Sequence, residues 1–247
     1  MNAYELIFKK HGLSPTQQEI LRLAGENKHG GNKNGENNQA SCLRNKTVLE
    51  IGSSSGYMTR AFLENKCIVD VVEFDQKAIA KLPGGIRSVF NLSIEDDKVY
   101  SALTDYDFVI MADVLEHLIN PGKVLKKLLK VASFDTKLLI SLPNIACWAM
   151  RKQLFFKGDF KYQTSGVLDK THLHFYTVNT LPQLLKDNGW KVDKIIGTIT
   201  RLPLEGLISR IPILGWIFRK SIYNKLVDKF KNLSYSHFLV VASKKHE

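Results

Sequence analysis

The sequence predicts an α/β fold, a parallel sheet with helices on both faces, seven strands in all, broken by two insertions. Three observations carry that prediction. From Lys46 onward, short apolar runs alternate with stretches of helical periodicity, the pattern of strands and crossover helices. The first apolar run, VLEI at 48–51, ends in Gly-Ser-Ser-Ser-Gly at 52–56. The second, VDVV, ends in Glu73, about twenty residues past that loop.

Each element follows from its own residues. SPTQQEILRLAGE at 14–26 opens on Ser-Pro and spaces Ile20, Leu21, Leu23 and Ala24 helically, so it reads as a short helix. KHGGNKNGENNQAS at 28–41 carries too little apolar surface to offset its ordering entropy and reads as a flexible linker. Residues 1–45 thus form an N-terminal helix and linker, and 46–247 the main domain. Strands are expected at 47–52, 68–74, 86–90, 107–112, 137–142, 191–199 and 237–243. Helices are expected near 56–65, 76–82, 96–104, 120–132 and 178–189. The insertions, 143–176 and 201–234, fall at strand ends, where substrate recognition is usually placed in such sheets.

Composition narrows the class. Of 247 residues, 44% are hydrophobic and 24% charged, as in ordinary globular chains. Lys and Arg number 35 against 24 Asp and Glu, a net charge of +11 that favours phosphates, anionic lipid or nucleic acid as partners. Three cysteines, Cys42, Cys67 and Cys147, form neither a CxxC pair nor an even disulfide set, which fits a reducing cytoplasm. The start, MNAYELIFKKHG, has no apolar leader core, and no apolar run reaches the eighteen or so residues that span a bilayer. A cytoplasmic protein, neither exported nor integral, is the expectation.

The glycine-bracketed turn lets a ligand approach the backbone, and the next helix, YMTRAFLEN, aims its first amides at it. Glu73 is placed to accept hydrogen bonds from ribose hydroxyls. A nucleoside-bearing cofactor is implied. The spacing of Gly52 and Gly56 does not match G-x-G-x-x-G, and Glu50 would repel a pyrophosphate while attracting an amino group. Those two facts favour S-adenosylmethionine over a dinucleotide.

With these residues in hand the chain resembles the class I S-adenosylmethionine-dependent methyltransferases over about residues 46–200 and the last strand. VLEIGSSSGYMTR resembles their first motif, with Ser54 where a central glycine is frequent. VDVVEFD resembles the second and YDFVIMADVLEHLINP the fourth-strand signature. The resemblance implies a Rossmann-like seven-stranded methyltransferase sheet whose last strand is antiparallel. It places Glu50, Gly52, Ser54 and Gly56 on the methionine side, Glu73 on the ribose, and Ser93 and Ile94 of LSIED at the adenine. Asp113 would face the cofactor's methionine end and His117, one turn on, the substrate cleft; in the competing reading Leu115 and Leu118 pack while Glu116 and His117 cap the helix that follows.

Methyl transfer to a hydroxyl is an in-line displacement that needs alignment and a base. The insertion at 143–176 places Asp169, His172 and His174 among aromatic residues, and Gly166, Asp169, Thr171, His172 and Phe175 resemble the G-x-x-D-x-T-H-x-x-F segment of a subset of the family. That subset includes glycan and small-molecule methyltransferases and relatives of a methionine-biosynthesis protein group. His172, oriented by Asp169, is the expected base, with His174 and Phe175 beside the acceptor. The competing reading has Asp169 and His172 merely folding the insertion. Metal ligation by His172 and His174 lacks a third ligand in the sequence, so no metal is expected.

The second insertion, RLPLEGLISRIPILGWIFRKSIYNKLVDKFKN at 201–232, sets aliphatic residues and Trp216 against Arg219, Lys220, Lys225 and Lys229. It suits a helix lying on an anionic membrane face, a pocket lid or a subunit contact. The expected function is O-methylation of a small-molecule or glycan hydroxyl, on a lipid-linked saccharide if the membrane reading holds. The alternatives are a nucleic-acid methyltransferase and a non-catalytic S-adenosylmethionine-binding partner. Bulky aliphatics between the basic residues disfavour nucleic acid.

Overall fold

A computed structural model describes residues 12–26, 42–199, 226–227 and 229–245. The linker expected at 28–41 and most of the basic segment at 201–232, Trp216 included, lie outside the described residues.

The elements follow in chain order. They are α1 (Pro15–Ala24), β1 (Thr47–Ile51), α2 (Tyr57–Glu64), β2 (Ile68–Val72), α3 (Gln76–Ile79), β3 (Ser88–Phe90), α4 (Asp97–Tyr100) and β4 (Phe108–Ala112). After a 3-10 turn at Leu115–His117 come α5 (Pro121–Val131), β5 (Lys137–Pro143), α6 (Trp148–Lys157), α7 (Thr180–Asp187), β6 (Trp190–Ile199), α8 (Lys231–Ser234) and β7 (Tyr235–Lys244). All seven expected strands are present. The sequence reading lacked α6, which lies inside the first insertion.

The strands form one sheet in the order β3-β2-β1-β4-β5-β7-β6. Strands β1 to β5 run parallel, and β7 inserts antiparallel between β5 and β6. The chain passes outward from β1 to β2 and β3, then returns to lay β4 on the other side of β1. Ligands of open α/β sheets bind outside the carboxyl ends of the strands at such a reversal, which here means the ends of β1 and β4.

Alternation along β1 sorts the core. Leu49 and Ile51 pack with Val124, Leu125 and Leu128 of α5 and Leu181 and Leu185 of α7. Val48 faces the other way, onto Ile20 of α1 and Met58 and Phe62 of α2. Side chains two apart share a face of a strand, so Glu50 points with Val48 toward α2. Each large apolar side chain buried this way contributes about 1.5–3 kcal/mol. Helix α1 is closed at its start by a reciprocal cap, in which Ser14 Oγ accepts from the Gln17 amide at 3.2 Å and Gln17 Oε1 from the Ser14 amide at 3.0 Å. Further support comes from Arg87, which grips Asp70 with two nitrogens while the Tyr106 hydroxyl donates to the same carboxylate at 2.7 Å. No described helix is long and apolar enough to cross a membrane.

Candidate active site

The loop at 52–56 turns because its backbone enters the left-handed region three times, with φ of 71° at Gly52, 49° at Ser54 and 72° at Gly56. Gly52 must be glycine for a second reason. A Cβ there would stand 2.6 Å from Cγ2 of Val114 at the end of β4. Its amide donates to the Val72 carbonyl at 2.8 Å, which ties the loop to β2 as well. Ser54 takes a conformation that disfavours any residue with a Cβ, and it is held there from outside. Glu73 reaches across from the end of β2 and accepts the Ser54 amide at 2.8 Å, with the amides of Phe74 and Asp75 at 2.9 and 3.0 Å on its other oxygen.

Glu73 therefore shapes the loop as well as flanking it. A carboxylate offers about four lone-pair sites, so three amides leave capacity for a hydroxyl donor. Ser53 Oγ is buried with no partner among the described residues. Phe74, next to Glu73, is 73% exposed, an apolar plate at the strand end that the sequence reading passed over. Glycine without Cβ, a carboxylate with spare capacity, an orphaned hydroxyl and an exposed ring together fit a nucleoside carrying a charged tail.

Glu50 departs from its expected state. It is buried beneath the loop, where Thr59 Oγ1 of α2 donates to it at 2.5 Å. Burial pushes its carboxyl up to about 8, the Thr59 hydroxyl opposes the rise and the charge of Glu73 adds to it. Without a cation beside it, Glu50 is predominantly neutral at pH 7. Ser93 and Ile94 stand where LSIED was expected to cup a base. Ser93 Oγ accepts the Glu95 amide at 3.2 Å, and buried Ile94 offers its carbonyl to the Tyr100 hydroxyl at 2.7 Å.

Asp113 occupies the turn after β4 with φ of 57°. Its Oδ1 lies 2.7 Å from Nε2 of His237, and Ser141 Oγ donates to it at 3.5 Å. Register explains the meeting. Ala112 pairs with Ser141 on β5, and Pro143 at the end of β5 pairs with His237 near the start of β7. A histidine oriented by a carboxylate was expected from 169 and 172, and the structure builds one from 113 and 237.

The expected dyad has other partners. Asp169 Oδ1 accepts the amide and hydroxyl of Thr171 at 2.9 and 2.7 Å. Burial pushes Asp169 up, but these bonds outweigh it and hold the carboxyl below its ordinary value. His172 instead sets its Nδ1 3.1 Å from the Val167 carbonyl, and burial holds its imidazole below the usual range. His117 packs edge-on against His172 with ring centroids 4.8 Å apart. His174 leans toward Tyr176, centroids 6.2 Å apart, and Phe175 lies 5.6 Å from Phe160. Leu173 and His174 both donate their amides to the Glu116 carbonyl, at 2.9 and 3.1 Å, so the insertion is clamped onto the turn after β4. Glu116, read in the sequence as part of a helix cap, is instead a buried carboxyl with neither oxygen hydrogen-bonded among the described residues. Burial raises it well above the ordinary value, and Asp113 and Asp169 add to the rise.

Comparison with known proteins bears on the fold and the family. The model of the methyltransferase domain family matches residues 9–195. No curated protein matches the chain. Among solved structures, a SAM-dependent methyltransferase from Archaeoglobus fulgidus superposes with a TM-score of 0.61 at 17% identity, over 98% of this chain and 100% of that one. Another from Thermotoga maritima gives 0.61 at 15% identity, over 98% and 95% of the two chains. A third, from Aquifex aeolicus, gives 0.53 at 17% identity and 98% of each. At such identities these likenesses establish the fold, while the family match spans most of the sequence. The chain belongs to the methyltransferase domain family.

Proposed function

We propose that the protein transfers the methyl group of S-adenosylmethionine to a hydroxyl oxygen of a small-molecule or glycan acceptor. The observation that carries the cofactor is the loop at 52–56, held open by Glu73 across the strand reversal with Ser53 Oγ left orphaned. Solved structures of the same fold are described as SAM-dependent methyltransferases. Glu73 would accept a ribose hydroxyl, Phe74 would lie against the base, and Glu50 would ionise beside the amino group.

When bound, the cofactor supplies a methyl group on a sulfonium centre, ready for displacement along the axis of the leaving sulfur. A hydroxyl attacks only as its proton leaves. His237 meets that need, since Asp113 holds Nε2–H and leaves the Nδ1 lone pair to receive the proton. The pair stands at the carboxyl ends of β4 and β5, beside the glycine loop packed on Val114. His172, the expected base, is buried with its ring fixed on Val167, and in this reading it helps wall the acceptor pocket with His174 and Phe175.

The test is incubation with methyl-labelled S-adenosylmethionine and separated glycan, lipid, small-metabolite and RNA fractions. Label in an alkali-stable ether of a glycan or small molecule is the expected result. Label in RNA would replace the acceptor class. Cofactor binding with no label in any fraction would make the chain a binding partner of another enzyme.

A further inference from the structure

We infer that Glu116, His117 and His172 form a binding site for one divalent first-row transition-metal ion. The donor atoms of the three side chains lie within 4.8 Å of one another, and Glu116 Oε1 stands 3.9 Å from Nε2 of His172. Donors around a common ion at about 2.1 Å are spaced roughly 3–3.5 Å apart, so small side-chain rotations close the set.

Two features point to a cation rather than to chance proximity. First, Glu116 is 1% exposed and neither of its oxygens has a hydrogen-bond partner among the described residues. A buried carboxyl without a donor is costly, and a cation is a partner that would satisfy both oxygens. Second, each imidazole is already oriented by its other nitrogen. His117 Nδ1 lies 3.1 Å from the Thr171 carbonyl, and His172 Nδ1 lies 3.1 Å from the Val167 carbonyl. A carbonyl can only accept, so both Nδ1 atoms carry the hydrogen and both Nε2 atoms present lone pairs. Metal-ligating histidines are characteristically fixed in this way. Once Glu116 gives up its proton, the pocket brings together two imidazole lone pairs and a carboxylate with no donor among them.

Two nitrogens and one oxygen suit zinc, cobalt, iron or manganese better than calcium. Asp113 and Asp169 add negative charge nearby, with Oδ1 of each engaged by His237 and by Thr171. The third ligand that the pair His172 and His174 lacked in the sequence is found on the turn after β4, and His117 takes the place of His174. Three protein donors leave coordination positions open. An acceptor hydroxyl bound there would lose its proton more readily. That role rests on the methyl-transfer reading, whereas the metal site does not.

The experiment uses the full chain stripped with chelator and titrated with Co2+ and Zn2+, with no cofactor or acceptor present. One equivalent of Co2+ should bind and give the visible absorption of an ion held by nitrogen and oxygen ligands. One equivalent of Zn2+ should displace it and raise the melting temperature. Glu116→Gln keeps the shape of the side chain, and it should fold at least as stably as the metal-free parent while binding at least tenfold more weakly. His117→Ala should also lose the signal, and His174→Ala should retain it. Absence of one-to-one binding in the parent, or equal binding by Glu116→Gln, would overturn the proposal. Neither result would bear on cofactor binding or methyl transfer.

Discussion

Replacing Glu50 with Gln tests whether the glycine loop rests on a neutral carboxyl. Burial raises that group to about 8 from an ordinary 4.5. Below pH 4.5 the folded and unfolded chains both hold the proton, and the carboxyl costs the fold no ionisation penalty. As pH rises to about 8 the unfolded chain releases its proton while the folded chain keeps it, so stability falls across that window and then levels. At about 1.4 kcal/mol for each tenfold change in proton affinity, the loss approaches about 5 kcal/mol at most. Gln abolishes this loss but adds one amide donor that Thr59 cannot satisfy, a cost of about 1–3 kcal/mol. The variant should be the less stable protein at pH 5 and the more stable at pH 9, by about 2–4 kcal/mol. Urea unfolding at the two values reads this directly. An identical difference at both would show that Glu50 ionises as an ordinary surface carboxylate and that the loop does not rest on a neutral group. If the cofactor's ammonium sits beside Glu50, binding at pH 7 should also release close to one proton, measurable by calorimetry in buffers of different ionisation enthalpy.

Other expectations concern neighbouring groups. Gly52→Ala should destabilise the chain, and adding Val114→Ala should restore part of the loss, with a coupling of about 0.5–3 kcal/mol in a double-mutant cycle; strict additivity would show that the contact at 2.6 Å is relieved elsewhere. His237→Ala should lower turnover by about 10²–10⁴-fold with cofactor affinity unchanged, and Asp113→Asn should do the same in part. Unaltered turnover in both variants would remove the dyad from the mechanism. For the segment at 201–232, co-sedimentation with anionic but not neutral vesicles, lost at high salt, is the outcome expected of membrane contact.

What the sequence disclosed was what is local. Each strand was visible because apolar runs of four to seven residues bounded by turn residues have few other readings. Gly52, Gly56 and Glu73 were visible because their spacing is set by one strand-turn-helix unit and its neighbour. Helix α6 was not, and the reason is physical. Of its ten residues only Met150 is buried, and Phe155 is 83% exposed, so no apolar face marks a helical period. The dyad of Asp113 and His237 joins positions 124 apart through the register of β4, β5 and β7. The one local hint was a histidine heading the apolar strand HFLVVAS. Glu116 looked like a helix-cap residue because nothing nearby in sequence announces that residues 172–174 fold against it. Asp169 and His172 were close in sequence, and Thr171 between them captured the carboxylate first.

The claim on which the rest depends is that the loop at 52–56 and Glu73 hold S-adenosylmethionine. Calorimetric titration of the parent chain and of Glu73→Ala with S-adenosylmethionine and S-adenosylhomocysteine, with NAD as competitor, tests it most directly. One-to-one binding of both ligands, no displacement by NAD, and a loss of about 1–3 kcal/mol in the variant are expected, as a ribose hydroxyl and the Ser54 amide lose their acceptor. No binding to the parent chain, displacement by NAD, or equal affinity in Glu73→Ala would contradict it.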